Sequence, residues 1–277
     1  MKYGIREICD VVLKAKSKIK VGNKTFAKGE PVIYFDSLKT STMEGAATTV
    51  YAQGGRGNTR LVAWEGERTV TFTMEDALIS ELGLAVLTGA GIIEAGIEDA
   101  KIKVHTTAKY AASETTFPVE ETLVADADIY AIELDEYDNI LSTEKAEAGS
   151  GAIIYEVTND AAKAVMFDFY IEKATGAKQV EITADKFAGN YYLEASTLFR
   201  SQDGVDHPAE FIIPNCKIQS NFTFTMASSG DPSTFTFTMD AFPDYTKFDY
   251  TKKVLSVIQI IDETAPIVDK TDDTVGE

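Results

Sequence analysis

Residues Met43–Gly91 read MEGAATTVYAQGGRGNTRLVAWEGERTVTFTMEDALISELGLAVLTGAG, and the fold turns on how they are read. The stretch predicts a strand, a glycine loop, two more strands in quick succession and one apolar helix. In its last strand Val70, Phe72 and Met74 alternate with Thr69, Thr71 and Thr73, the period of two expected of a half-buried strand. Leu61–Trp64 and Arg68–Met74 flank Glu65-Gly66-Glu67, which predicts a tight hairpin at that point. Leu38–Tyr51 predicts a strand bent at Gly45. Glu75-Asp76 put acidic residues at the positive end of a helix expected over Asp76–Leu87. Leu78, Leu82, Ala85 and Val86 give that helix an apolar stripe suited to covering the protein's own sheet, and Gly89 is its expected C-cap.

The strand Val70-Thr71-Phe72-Thr73-Met74 returns almost unchanged as Phe222–Met226 and as Phe235–Met239. The second and third copies predict a hairpin, Cys216–Met226 with Ser233–Met239, closed around Ser228–Pro232. These uncharged segments of high β propensity would aggregate as open sheet edges. A soluble protein keeps them central, or lets neighbouring subunits cover or extend the sheet. The second solution makes a ring or tube with a continuous β lining.

Further out, short strands are expected at Val11–Leu13, Val32–Phe35, Tyr191–Arg200, Glu210–Ile213 (stopped by Pro214) and Val254–Ile261, with Gly22-Asn23 as a turn. The first dozen residues fit helix or strand. Residues 97–188 differ in texture: β runs at Ile102–His105, Ile129–Leu134, Ile153–Val157 and Met166–Ile171 lie between acidic or small-residue stretches read as solvated loops, Glu133–Asp138 and Glu144–Gly151. We therefore expect one β domain from residues 1–96 and 189–262, an inserted small β subdomain at 97–188, and a disordered acidic tail at 263–277.

Charge is uneven. Of 26 Lys/Arg and 44 Asp/Glu, residues 1–30 hold eight and three, leaving 18 and 41 for the rest. So acidic a body argues against gripping nucleic acid by phosphate neutralisation. No run reaches the length of a membrane span, and the N-terminus lacks a signal-peptide apolar region. Cys9 and Cys216 read as reduced, buried thiols.

Catalytic chemistry is hard to build. His105 and His207 sit in unrelated contexts, with His207 expected in a surface or capping role, so neither a zinc site nor a Ser-His-Asp triad is indicated. Gly54-Gly55-Arg56-Gly57-Asn58 lacks the Lys-Ser/Thr and following helix of a phosphate cradle. No cofactor, metal or enzymatic activity is expected.

The order GEPVIYFDSLKTSTMEG, VYAQGGRGNTRLVAWEGE, TFTMEDALIS and LTGAG, then DGVDHPAEFIIPNCKI and GDPSTFTFTMDAFPD, resembles the tail tube proteins of long-tailed, myovirus-type bacteriophages over residues 1–95 and 180–262. The resemblance implies a mainly β fold of two packed, roughly orthogonal antiparallel sheets, a sandwich or barrel, with one short α-helix. It also implies stacked hexameric rings in which neighbouring sheets join into an inner barrel, forming an acidic conduit for DNA in a virion tail made in the host cytoplasm. Expected partners are further copies of the chain, the tail sheath, the baseplate and the tail terminator, with no membrane. Gly54, Gly55, Arg56, Gly57, Asn58 and Arg60 fall where that family has a loop that orders on the adjacent ring. Phe72, Phe222, Phe224, Phe235 and Phe237 mark the ring-forming strands. The basic N-terminal segment is a candidate contact for an acidic neighbour or sheath. A separate alternative is a carbohydrate-binding or adhesive β module, at which Tyr191, Tyr192 and Trp64 hint.

Overall fold

The computed structural model describes residues 2–226, 228–229 and 234–261; the expected tail at 263–277 lies outside the described residues, as does most of the 228–232 turn. The described chain is mainly β, with antiparallel sheets and one helix. It begins with β1 (Tyr3–Ile5), β2 (Asp10–Ala15), β3 (Ile19–Val21), β4 (Lys24–Phe26), β5 (Pro31–Phe35), β6 (Leu38–Gly54) and β7 (Thr59–Asp76), then α1 (Glu81–Thr88) and β8 (Gly91–Glu94). Next come β9 (Ile102–Ala111), β10 (Thr116–Pro118), β11 (Thr122–Leu123), β12 (Ile129–Leu134), β13 (Ile140–Ala148), β14 (Ala152–Ile154) and β15 (Ala164–Lys173). The chain continues through β16 (Lys178–Glu181), β17 (Asn190–Ser201), β18 (Asp206–Ile218), β19 (Phe235–Ala241) and β20 (Val257–Ile260).

Two compact units result, one from the residues up to Gly91 with those from Val180 on, the other from Ile92–Gln179. In the first, nine strands share one hydrogen-bonded sheet, ordered β5-β2-β17-β18-β19-β7-β6, with β1 on β17 and β20 on β18. The expected pair of packed sheets is thus realised as one continuous sheet, curled into a half-barrel. Alternation fixes its inner face: Val11, Leu13 and Ala15 of β2, Leu193 and Ala195 of β17, Phe72 and Met74 of β7, and Phe237 and Met239 of β19 are all buried. Helix α1 adds Ala85, Val86 and Leu87 to the core. Ser80 caps it by accepting from the Gly83 N–H, and Gly89 ends it at φ 74° as a left-handed C-cap. It starts later than expected because β7 runs on to Asp76, whose carboxylate accepts from Ser37 Oγ and the Leu78 N–H and turns the chain before the helix.

The second unit is a seven-stranded antiparallel sheet ordered β10-β14-β13-β12-β15-β11, with β9 on β15. Its core joins Phe117, Ile129, Ala131, Ile153, Tyr155, Val165, Phe167, Phe169 and Ile171. The acidic or small-residue stretch at 144–151, expected between strands, is largely strand β13, because Tyr130↔Lys145 and Ala131↔Glu144 pair along β12. Glu133, expected in a solvated cluster, is fully buried. Its Oε1 accepts from Tyr155 OH (2.9 Å), the Thr158 N–H (2.6 Å) and Thr158 Oγ1 (3.1 Å), and its Oε2 from Ser142 Oγ (2.8 Å) and the Asn159 N–H (3.1 Å).

Three further expectations are corrected. Pro214 does not stop its strand: β18 passes through it, because the pairing slips between Leu193↔Ile213 and Tyr191↔Cys216 and leaves the residue without an N–H at the bulge. His207 is buried rather than at the surface, its ring edge-on to Tyr3 at 5.4 Å. Residues 222–226 do not form the expected strand. The β18–β19 ladder ends at Ile218↔Met239, and Phe222, Phe224 and Phe235 instead stack edge to face at 5.4 and 5.2 Å. Cys9 and Cys216 are free and buried, as read; burial pushes the Cys216 thiol up to about 12.

Candidate assembly surface

Strands β6 and β7 are far longer than their neighbours. They pair from Leu38↔Asp76 to Gly54↔Thr59, while β19 covers β7 only over Thr71–Asp76. Beyond Gly45 and Val70 the pair is therefore a two-stranded ribbon, with no partner strand on either edge among the described residues. A lone two-stranded ribbon is marginal in water, since its outward N–H and C=O groups, half of the total, have only solvent to bond.

The sequence makes the ribbon one continuous hairpin. Glu65-Gly66-Glu67, expected as a turn, lies inside β7, because Gly66 is set by its cross-strand neighbour: a Cβ there would sit 2.4 Å from Thr48 Oγ1. Between Ala47↔Arg68 and Thr49↔Glu65 the single Thr48 faces both Gly66 and Glu67, so β7 carries the extra residue of a bulge that re-aims the ribbon's outer half. The actual turn is the glycine loop, with Gly55 and Gly57 at φ 78° and 90° and Asn58 at φ 50°.

Opposed residues share a face, so Val50↔Trp64 and Ala52↔Val62 set four apolar side chains side by side. Among the described residues, Val50, Val62 and Trp64 are exposed, Trp64 by 55%, and Ala52 is half-buried. The opposite face carries Tyr51, with the Arg60 guanidinium 4.1 Å from its ring centroid. That stacking on a planar aromatic stiffens the base of the loop holding Gly54, Gly55, Arg56, Gly57 and Asn58. Among the strand residues expected to form rings, Phe72 and Phe237 are buried in the sheet and Phe235 begins β19, whereas Phe222 and Phe224 lie outside the strands.

The sheet's two ends are the other open features. Outer edges of β5 at one end and β6 at the other have no partner strand among the described residues. The hint of a glycan platform weakens on inspection, because Tyr191 and Tyr192 are both buried. Sequence reasoning also missed the outer face of the sheet, where Glu194 takes Lys14 and Lys247 together and Lys16 pairs with Asp244 at 2.8 Å. Burial pushes the Glu194 carboxyl up, but the two lysines outweigh it and hold it below its usual range. These partners are far apart in sequence, so no local signal reveals them.

Among the described residues no group of three or more His, Cys, Asp or Glu is placed to hold a metal ion, and no helix is long and apolar enough to cross a membrane. His105 Nε2 lies 3.0 Å from Asp168 on an exposed strand face of the second unit. A family model described as the YomU/Tube protein family matches residues 4–255. No curated protein matches the chain.

Proposed function

We propose that this chain, which belongs to the YomU/Tube family, a phage tail tube family, polymerises as stacked hexameric rings into the conduit through which DNA leaves the virion. A protein of this family is a structural component of the phage tail that assembles with its own copies and other tail proteins. The observation that carries the finer reading is the ribbon: two exposed strands with free edges and a bare Val50/Ala52/Val62/Trp64 face, on a sheet open at both ends. Exposed apolar surface of this kind marks an interaction site.

In this reading the curled sheets of neighbouring subunits join edge to edge into an inner barrel, and the ribbon with its Gly54–Asn58 loop and Arg60 seats on the next ring. The acidic body then has a task. A wall of Asp and Glu repels phosphates, so DNA slides without sticking. Sheath, baseplate and terminator proteins are the expected neighbours of such a tube, and the Ile92–Gln179 unit is an insertion on it.

Negative-stain electron microscopy of the purified chain across a concentration series tests this. Six-fold rings or hollow tubes are expected, and Trp64→Asp should abolish them. Tubes that form equally well with Trp64→Asp would remove the ribbon from the account.

A further inference from the structure

Between β19 and β20 the chain makes a compact closed loop, Asp244–Val254, whose ends bridge by reciprocal bonds: Asp244 N–H to Val254 O at 3.1 Å and Val254 N–H to Asp244 O at 2.9 Å. Its interior is tied locally. Asp249 N–H donates to Thr246 Oγ1 (3.0 Å), and both the N–H and hydroxyl of Thr251 donate to Asp249 Oδ1 (2.8 and 2.5 Å). Its base is latched to the sheet. Lys16 reaches Asp244 Oδ2 and Pro214 O, each at 2.8 Å, and Lys247 reaches Glu194 Oε1 at 3.1 Å while lying 4.9 Å from the Tyr192 ring centroid.

A loop so tied has little freedom left to lose, yet it holds Phe248 93% exposed and Tyr250 72% exposed. Compact loops with bridged ends are often functional, and a rigidly presented aromatic is the usual anchor of an interface. Burying Phe248 and Tyr250 serves nothing inside this chain. Two exposed lysines, Lys252 and Lys253, follow them in the loop, in a protein of 44 acidic and 26 basic residues. Beside the loop an open hollow of about 430 Å³, lined in part by Tyr192, Ile212, Val257 and Gln259, provides room for part of a partner.

We infer that Asp244–Val254 is a second self-association element, a basic–aromatic knob that docks on the acidic surface of another copy of this chain. The assignment rests on the tube reading and adds to it a contact separate from the ribbon. Charge selects the occupant: Lys252 and Lys253 are exposed, and the abundant acidic surface in an assembly of identical chains belongs to a second copy. A knob meeting a different patch on its neighbour is a heterologous contact, the kind that propagates around rings and along tubes.

A photo-crosslinking amino acid at Phe248 in the purified full chain tests this, alongside microscopy of the unmodified chain. Irradiation under conditions where the unmodified chain assembles should give covalent multiples of the chain, with acidic peptides of the same sequence as acceptors. Tubes without crosslinked multiples would overturn the knob and leave the tube reading standing. Crosslinked multiples without tubes would support the knob and overturn the tube, and the absence of both would overturn both. Phe248→Ser with Tyr250→Ser should raise the concentration needed for assembly at least about tenfold, with thermal unfolding of the free chain unchanged.

Discussion

Glu133 is a carboxylate drawn out of water by the sheet around it and kept charged by five donors. Burial alone would push its carboxyl up. The Thr158 backbone N–H and the hydroxyls of Ser142, Tyr155 and Thr158 outweigh that and hold it below the ordinary 4.5. A group whose folded value is lowered contributes stability above the unfolded value and loses it as pH falls through the folded one. We therefore expect Glu133→Gln to cost about 2 kcal/mol at neutral pH. In chemical denaturation the gap from wild type should narrow on acidification; a gap independent of pH would contradict the assignment. Glycines make a second pair of predictions. A Cβ on Gly89, at φ 74°, would meet the Phe187 carbonyl carbon and oxygen at 2.5 Å, whereas one on Gly57, at φ 90°, meets nothing within 4 Å. Gly89→Ala should cost about 3 kcal/mol or more and Gly57→Ala about 1 kcal/mol, read from thermal melts.

The ribbon and α1 show what a sequence can and cannot reveal about elements. Period-two runs, the Gly22-Asn23 turn and the Gly89 cap were legible because the physics behind them is local. Gly66 was misread as a turn because its role is fixed by Thr48 on the other strand, and Pro214 as a stop because the bulge that accommodates it is set by β17. The glycine loop and Trp64 stood out in sequence, but the ribbon joining them, and the latched 244–254 loop, depend on pairings made across the sheet. For the ribbon we predict that Trp64→Asp changes the stability of the free chain by less than about 0.5 kcal/mol, because the side chain is exposed, while abolishing assembly. Equal loss of both in melting and sedimentation experiments would mean that Trp64 serves the fold.

At the scale of the whole molecule, charge and open edges point the same way. A chain carrying 44 acidic residues against 26 basic ones leaves its curled sheet unclosed at β5 and β6 among the described residues and extends a bare apolar ribbon. In the proposed assembly the sheet closes, the ribbon is covered and acids face a passing polyanion. Assembled protein should accordingly leave duplex DNA unshifted in a gel at moderate salt; firm binding would contradict a repelling wall. The most direct test of the central claim is hydrogen exchange at the outward amides of residues 45–54 and 59–70, compared between the free chain and the assembled form. These amides should exchange quickly in the free chain and become strongly protected on assembly. Equally fast exchange in both states would mean that the ribbon is not the joint between copies.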